Sequence, residues 1–255
     1  MGHTNCLNCN TALQGKFCSH CGQKADTHRI TVKHFVQHDV LHGVWHIERG
    51  ILFTLKELFT RPGYAATDYI AGKRIRYYNI FYLLLLVIGF NLIVVHYAKS
   101  LSADSVIEAT GDGVALQRFI EEHTKFIVLS IIPLFAFNGW LIFRKLRLNM
   151  AEHSIIAGFA LLGCTIIALI INLCKLAPPT MQEGFLGIII VGFLVLMSLF
   201  PAWVYYMATR SKCTFVGYLW RILTFYLVFL LEIALEFALI AMLTSGWEFN
   251  GSITI

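Results

Sequence analysis

The chain has 255 residues, of which 57% are hydrophobic and only 14% charged, with a mean hydropathy of +0.68. Soluble domains carry roughly 45–50% apolar and about 25% charged residues, so a disordered chain, a nucleic-acid-coating tail and a conventional soluble enzyme are excluded, and an all-α polytopic membrane protein is expected. The net charge of +5 matters less than where the charges sit.

The first 27 residues are polar and contain Cys6-Leu-Asn-Cys9 and Cys18-Ser-His-Cys21-Gly22, a CxxC-x8-CxxC pattern. Each CxxC can wrap one side of a metal ion, and two such knuckles offer four thiolates to tetrahedral Zn²⁺. With four protein ligands the shell is closed, so Cys6, Cys9, Cys18 and Cys21 are expected to form a structural zinc ribbon. Disulfides and a redox CxxC are the alternatives. A reducing compartment disfavours the first, and the second comes with a thioredoxin-like context that is absent. His20, inside the second knuckle, is expected to be a bystander. No apolar leader segment is visible in the first 30 residues.

Residues 28–78 form a second unit of amphipathic juxtamembrane helices. Val32, Val36, Val40, Val44, Ile47 and Ile51 recur at helical spacing, while His34, His38, His42 and His46 share nearly the opposite face. Four imidazoles at i, i+4 spacing suit a second metal site or a pH sensor near 6.5. A solvated polar face is the alternative. Ile51–Thr60 puts Leu52, Leu55 and Phe59 on one side. Arg61-Pro62-Gly63 stops that helix, and Tyr64–Ala71 makes another, ended by Gly72. Lys73, Arg74 and Arg76 then stand beside Tyr77 and Tyr78 at the membrane entry. They suit topology anchoring, and also contact with lipid headgroups.

Residues 79–255 supply five stretches of the roughly 20 apolar residues that a span requires: Asn79–Tyr97, Lys125–Phe143, Ser154–Cys174, Phe185–Ala208 and Tyr218–Leu243. Fifteen basic residues lie before the first span and in the loops 144–150 and 209–217, against three in the alternate loops. Excess Lys and Arg stay cytoplasmic, so the N-terminus is expected inside and the C-terminus outside. Glu232 and Glu236 lie one helical turn apart in the fifth span. Intramembrane carboxylates are costly and mark function or helix-locking hydrogen bonds. Depth counting makes Asn91 and His96 of the first span their candidate partners. Pro133 and Pro201 can kink the second and fourth spans. No GxSxG, HExxH, GxxxxGK[ST] or GxGxxG occurs, and no catalytic residue is assigned.

The ribbon with its FCSHCGQK run, the TLKELFTRPG stretch and the YIAGKRIRYYN entry to the first span resemble an uncharacterised domain-of-unknown-function family of bacterial zinc-ribbon integral membrane proteins. The resemblance covers roughly residues 5–97. It implies a multi-pass protein of the bacterial inner membrane with a zinc ribbon, and no activity. Three functions are compatible with these features. One is a membrane-anchored ribbon that recruits or organises a cytoplasmic protein partner, with the lipid bilayer as its surroundings and no nucleic acid. The second is a small transporter or permease component using Glu232 and Glu236. The third is a membrane enzyme acting on lipids with a histidine-rich metal site.

Overall fold

The computed structural model describes residues 4–27, 30, 50–102, 130–177, 181 and 184–244. The histidine ladder at 34, 38, 42 and 46 lies outside the described residues. Among the described residues there are seven α-helices and no strand beyond isolated bridges in the ribbon.

The ribbon consists of two knuckles of one design. Cys6 N donates to Thr11 O and Asn10 N returns to Cys6 O, both at 2.8 Å. Twelve residues on, Cys18 N donates to Gln23 O at 2.8 Å and Gly22 N to Cys18 O at 2.9 Å. The bridges Asn5↔Ala12 and Phe17↔Lys24 close the two loops at equivalent positions. Each knuckle needs one residue in the left-handed region. Asn10 (φ 61°) fills it in the first and Gly22 (φ 75°) in the second, the two residue types that tolerate it best.

Helix α1 (Ile51–Thr60) begins after Gly50, whose φ of 128° is open to glycine. A Cβ there would lie 3.0 Å from Tyr78 N, so the start of α1 is pressed against the backbone of the membrane entry. Its buried residues are Thr54, Glu57 and Leu58, while Leu52 is 83% exposed and the Phe59 ring packs edge-on to Phe200, 5.8 Å between centres. Of the Leu52, Leu55 and Phe59 side, Leu55 and Phe59 therefore pack inward and Leu52 faces out. Thr54 and Glu57 are buried because each has a partner: Tyr78 N donates to Thr54 Oγ1 at 2.8 Å, and Arg61 Nε pairs with Glu57 Oε2 at 2.5 Å. Helix α2 (Pro62–Ile70) starts on a proline, whose missing N–H is no loss at a helix N-terminus.

Among the described residues, four helices are long and apolar enough to cross a membrane. They are α3 (Ile80–Ser102), α5 (Met150–Cys174), α6 (Phe185–Thr209) and α7 (Phe215–Thr244). The second expected span is represented by the shorter apolar helix α4 (Ser130–Ile142); residues 125–129 lie outside the described residues. Asn79 caps α3, its Oδ1 accepting from Phe81 N at 3.0 Å. Asn149 and Glu152 form a reciprocal capping box at the start of α5 (2.9 and 2.8 Å).

Helix α5 is the centre of the bundle, with α3 and α6 packed along it. Its buried residues run from Ala151 through Ile171, whereas α6 and α7 expose Ile188, Val191, Leu223, Leu227 and Leu230. In water such a surface would be unfavourable, and it is the surface that lipid tails solvate. Pro201 interrupts the α6 ladder, and neighbouring helices satisfy the backbone it frees. Cys164 Sγ donates to Met197 O at 3.4 Å. Tyr226 OH accepts from Ala202 N (3.3 Å) and donates to Ser198 O (2.5 Å), so it inserts into the ladder itself.

Helix α2 lies against the C-terminal end of α6, Asn149 Nδ2 donates to Ile30 O (2.9 Å), and Lys212 Nζ donates to Leu146 O (3.0 Å). The juxtamembrane helices and the loops 143–149 and 210–214 thus gather at one end of the bundle. The cations Lys73, Arg74, Arg76, Arg144, Lys145, Arg147, Arg210 and Lys212 all belong to that end.

Candidate metal centre and intramembrane polar residues

The four ribbon cysteines converge. Cys6 Sγ lies 3.6 Å from Cys21 Sγ, Cys9 Sγ lies 3.5 Å from Cys18 Sγ, and all four sulfurs fall within 4.8 Å of one another. Each knuckle presents its first cysteine buried and its second half-buried. Burial pushes the Cys6 thiol up to about 11, while hydrogen bonding to Thr11 draws Cys9 down to about 5. Four sulfurs at these separations can hold one metal ion.

The ribbon is fastened to the membrane entry. Gln23 Nε2 donates to Gly72 O at 2.8 Å, and Gln23 Oε1 accepts from Ile75 N at 3.4 Å. Arg76 Nε donates to Asn8 Oδ1 at 2.9 Å, and a second Arg76 nitrogen reaches Asn8 O at 3.4 Å. Leu7 packs on Gly72, where a Cβ would lie 2.6 Å from Leu7 Cδ1 and where φ is 98°. The positive φ is what favours glycine at 72, since the Leu7 side chain can shift. Of the cations considered for headgroup contact, Arg76 is held by Asn8, Lys73 pairs with Asp68 at 2.7 Å, and Arg74 lies over the Tyr69 ring at 5.9 Å. The neighbouring Tyr77 ring contacts Phe53, Tyr69 and Phe159, and its hydroxyl is buried with no partner. Burial, then the Asp68 and Glu57 carboxylates, push that phenol up to about 12.

Of the two intramembrane carboxylates, Glu232 has a partner other than those expected from depth, and Glu236 Oε2 is buried with no hydrogen-bond partner. Asn138 Nδ2 of α4, fully buried, donates to Glu232 Oε2 at 2.6 Å. Asn91 instead accepts from Asn172 Nδ2 of α5 at 2.8 Å, and His96 is exposed. Counting depth from each span's start assumes helices aligned with the membrane normal, and the Asn138–Glu232 contact departs from that. Asn138 stands out in sequence as an amide within the apolar run 134–143, which is the signal that finds it. His153, one residue before the expected start of the third span, is also fully buried with both ring nitrogens unpartnered. A Cβ at Gly139 would lie 2.3 Å from Tyr205 OH and 2.7 Å from His153 Nδ1, so α5 and α6 direct polar groups onto this one glycine of α4.

Residues 48–90 match the model of an uncharacterised family, described as protein of unknown function (DUF3667). No curated protein and no solved structure matches the chain. The matched segment holds α1, α2, the Gly72–Arg76 seat of the ribbon and the first half of α3. It is narrower than the resemblance over residues 5–97 and does not include the cysteines.

Proposed function

We propose that this chain is a multi-pass protein of the bacterial inner membrane whose ribbon carries one structural Zn²⁺ and presents a recognition face to a cytoplasmic protein partner. A Zn–S bond of about 2.3 Å puts tetrahedral sulfurs about 3.8 Å apart, close to the 3.5 and 3.6 Å of the two nearest pairs. All-thiolate donors suit zinc, and a closed shell leaves no position for catalysis. The excess of Lys and Arg at the ribbon end supports a cytoplasmic N-terminus.

The observation that carries the recognition role is the asymmetry of the two knuckles. Leu7 and Asn8 at the tip of the first are engaged by Gly72 and Arg76. Ser19 and His20 at the tip of the second are exposed, beside Phe17, which is 62% exposed. A metal-stiffened loop with a solvent-facing aromatic is a low-entropy binding surface. A photo-crosslinking residue at Phe17 in the full chain should give a discrete protein adduct in the native membrane. A residue at Leu7 should give none. Equal labelling at the two positions would contradict the reading.

The Asn138–Glu232 pair and the unpartnered His153 favour a second reading, a small transporter component passing protons or cations through the bundle. Glu232→Gln in the full chain tests it. Retention of the gene's phenotype with that variant removes the transporter reading.

A further inference from the structure

The chain between α4 and α5 turns within seven residues. A 3₁₀ turn at Arg144–Leu146 follows α4, Arg147 takes the left-handed conformation at φ 54°, and Asn149 caps α5. Trp140, Arg144, Arg147, Leu148 and Asn149 line a cavity of about 460 Å³. The Arg144 guanidinium lies over the Trp140 ring, 5.5 Å from its centre. Two guanidinium groups stand in this lining. Trp140 also borders the outward-facing Phe137 and Leu141 of α4. The cavity therefore stands where the lipid-facing surface meets the basic end of the bundle.

Anchoring of orientation needs only positive charge near the loop. It needs neither a cavity with a tryptophan wall nor an arginine at a backbone position that glycine or asparagine would take with less strain. Guanidinium groups hold phosphate oxygens with two parallel N–H donors, and indole rings settle at the depth of the glycerol and headgroups. We propose that Trp140, Arg144 and Arg147 form a binding site for a phosphate-bearing anion, supplied by the headgroup of an anionic phospholipid. Arg144 and Arg147 take the phosphate, and Trp140 and Leu148 take the apolar part of the lipid.

The test uses the full-length, metal-loaded protein in nanodiscs of phosphatidylcholine, with and without phosphatidylglycerol. Thermal unfolding and lipid retention by native mass spectrometry are the readouts. The wild type is expected to unfold at a higher temperature with phosphatidylglycerol and to retain one such lipid through delipidation. Arg147→Gly fits the left-handed backbone, so it should fold at least as well in phosphatidylcholine and lose both phosphatidylglycerol effects. Arg144→Gln should lose them as well, while Arg210→Gln on the neighbouring loop should keep them. Full retention by Arg147→Gly, or an equal loss in Arg210→Gln, overturns the site. Inorganic phosphate added to phosphatidylcholine discs should not reproduce the stabilisation. If it does, and phosphatidylglycerol adds nothing, the lipid assignment falls.

Discussion

The Gln23 carboxamide donates to Gly72 O at 2.8 Å while its oxygen accepts from Ile75 N at 3.4 Å. One side chain of the second knuckle thereby binds two polar backbone groups of the membrane-entry turn, where Arg74 N also donates to Gly72 O at 2.9 Å. The ribbon is thus a docked element, and its position depends on a few residues around Gly72 and Arg76.

Removing that clamp should release the ribbon without unfolding the bundle. Gln23→Ala removes the acceptor of Ile75 N and one of the two donors to Gly72 O, which Arg74 N still meets at 2.9 Å, and the loss of these bonds should cost about 1 kcal/mol. Hydrogen exchange of the full chain should show faster exchange over residues 4–25 in Gln23→Ala and in Arg76→Gln. Exchange over α5 should stay slow. A change confined to α5 would contradict the docking.

Helix α2 should tolerate almost no added volume at Gly63. A Cβ there would lie 2.3 Å from Val204 O and 2.4 Å from Ala208 N, both backbone atoms of α6. Neither can rotate away, so Gly63→Ala should destabilise by roughly 3 kcal/mol or more through overpacking. Gly89→Ala, with nothing within 4 Å of the added carbon, is the matched control and should be near neutral. Melting of the two variants in the same detergent compares them directly.

Hydropathy locates the long helices because a span is a property of some twenty residues together. α5, α6 and α7 begin within a few residues of their expected starts and end within one. The cysteines are legible because a CxxC pair has one dominant use in a reducing compartment. What a sequence hides is which side of a helix packs. In α1 the apolar Leu52 faces outward while Thr54 and Glu57 face inward, since outward at the membrane boundary need not mean polar. The Asn138–Glu232 pair is hidden for a related reason. Partners across spans follow helix crossing, and depth counted along each helix carries no crossing angle.

Tyr77 has a buried hydroxyl with no partner, so its removal should relieve a cost. Tyr77→Phe is expected to be neutral or to stabilise by up to about 1 kcal/mol. The phenol sits at about 12 in the folded protein against an ordinary 10. Its raised value favours the folded state fully below pH 10, and that contribution is lost as pH rises from 10 towards 12. Unfolding of the wild type should therefore steepen over that alkaline window, and less so in Tyr77→Phe. An identical alkaline profile for the two proteins would contradict the burial of this hydroxyl.

The Asn138–Glu232 hydrogen bond makes a distinction between two replacements. Glu232→Gln keeps an acceptor oxygen for Asn138 Nδ2 and should change stability by less than about 1 kcal/mol. Glu232→Leu strands the buried amide and should cost about 1–3 kcal/mol. Adding Asn138→Leu to Glu232→Leu should recover part of that loss, since two apolar partners leave nothing unsatisfied. Additive losses in the double variant would show that the two side chains do not meet.

The most direct measurement is the metal content of the full-length protein, purified without added metal, beside that of a Cys6→Ser/Cys18→Ser variant. Four sulfurs within 4.8 Å of one another predict one zinc per chain in the wild type. They predict close to none in the variant, whose ribbon should also lose its protection over residues 4–25. Equal zinc in the two proteins, or a wild type free of metal with an intact and protected ribbon, would contradict the account.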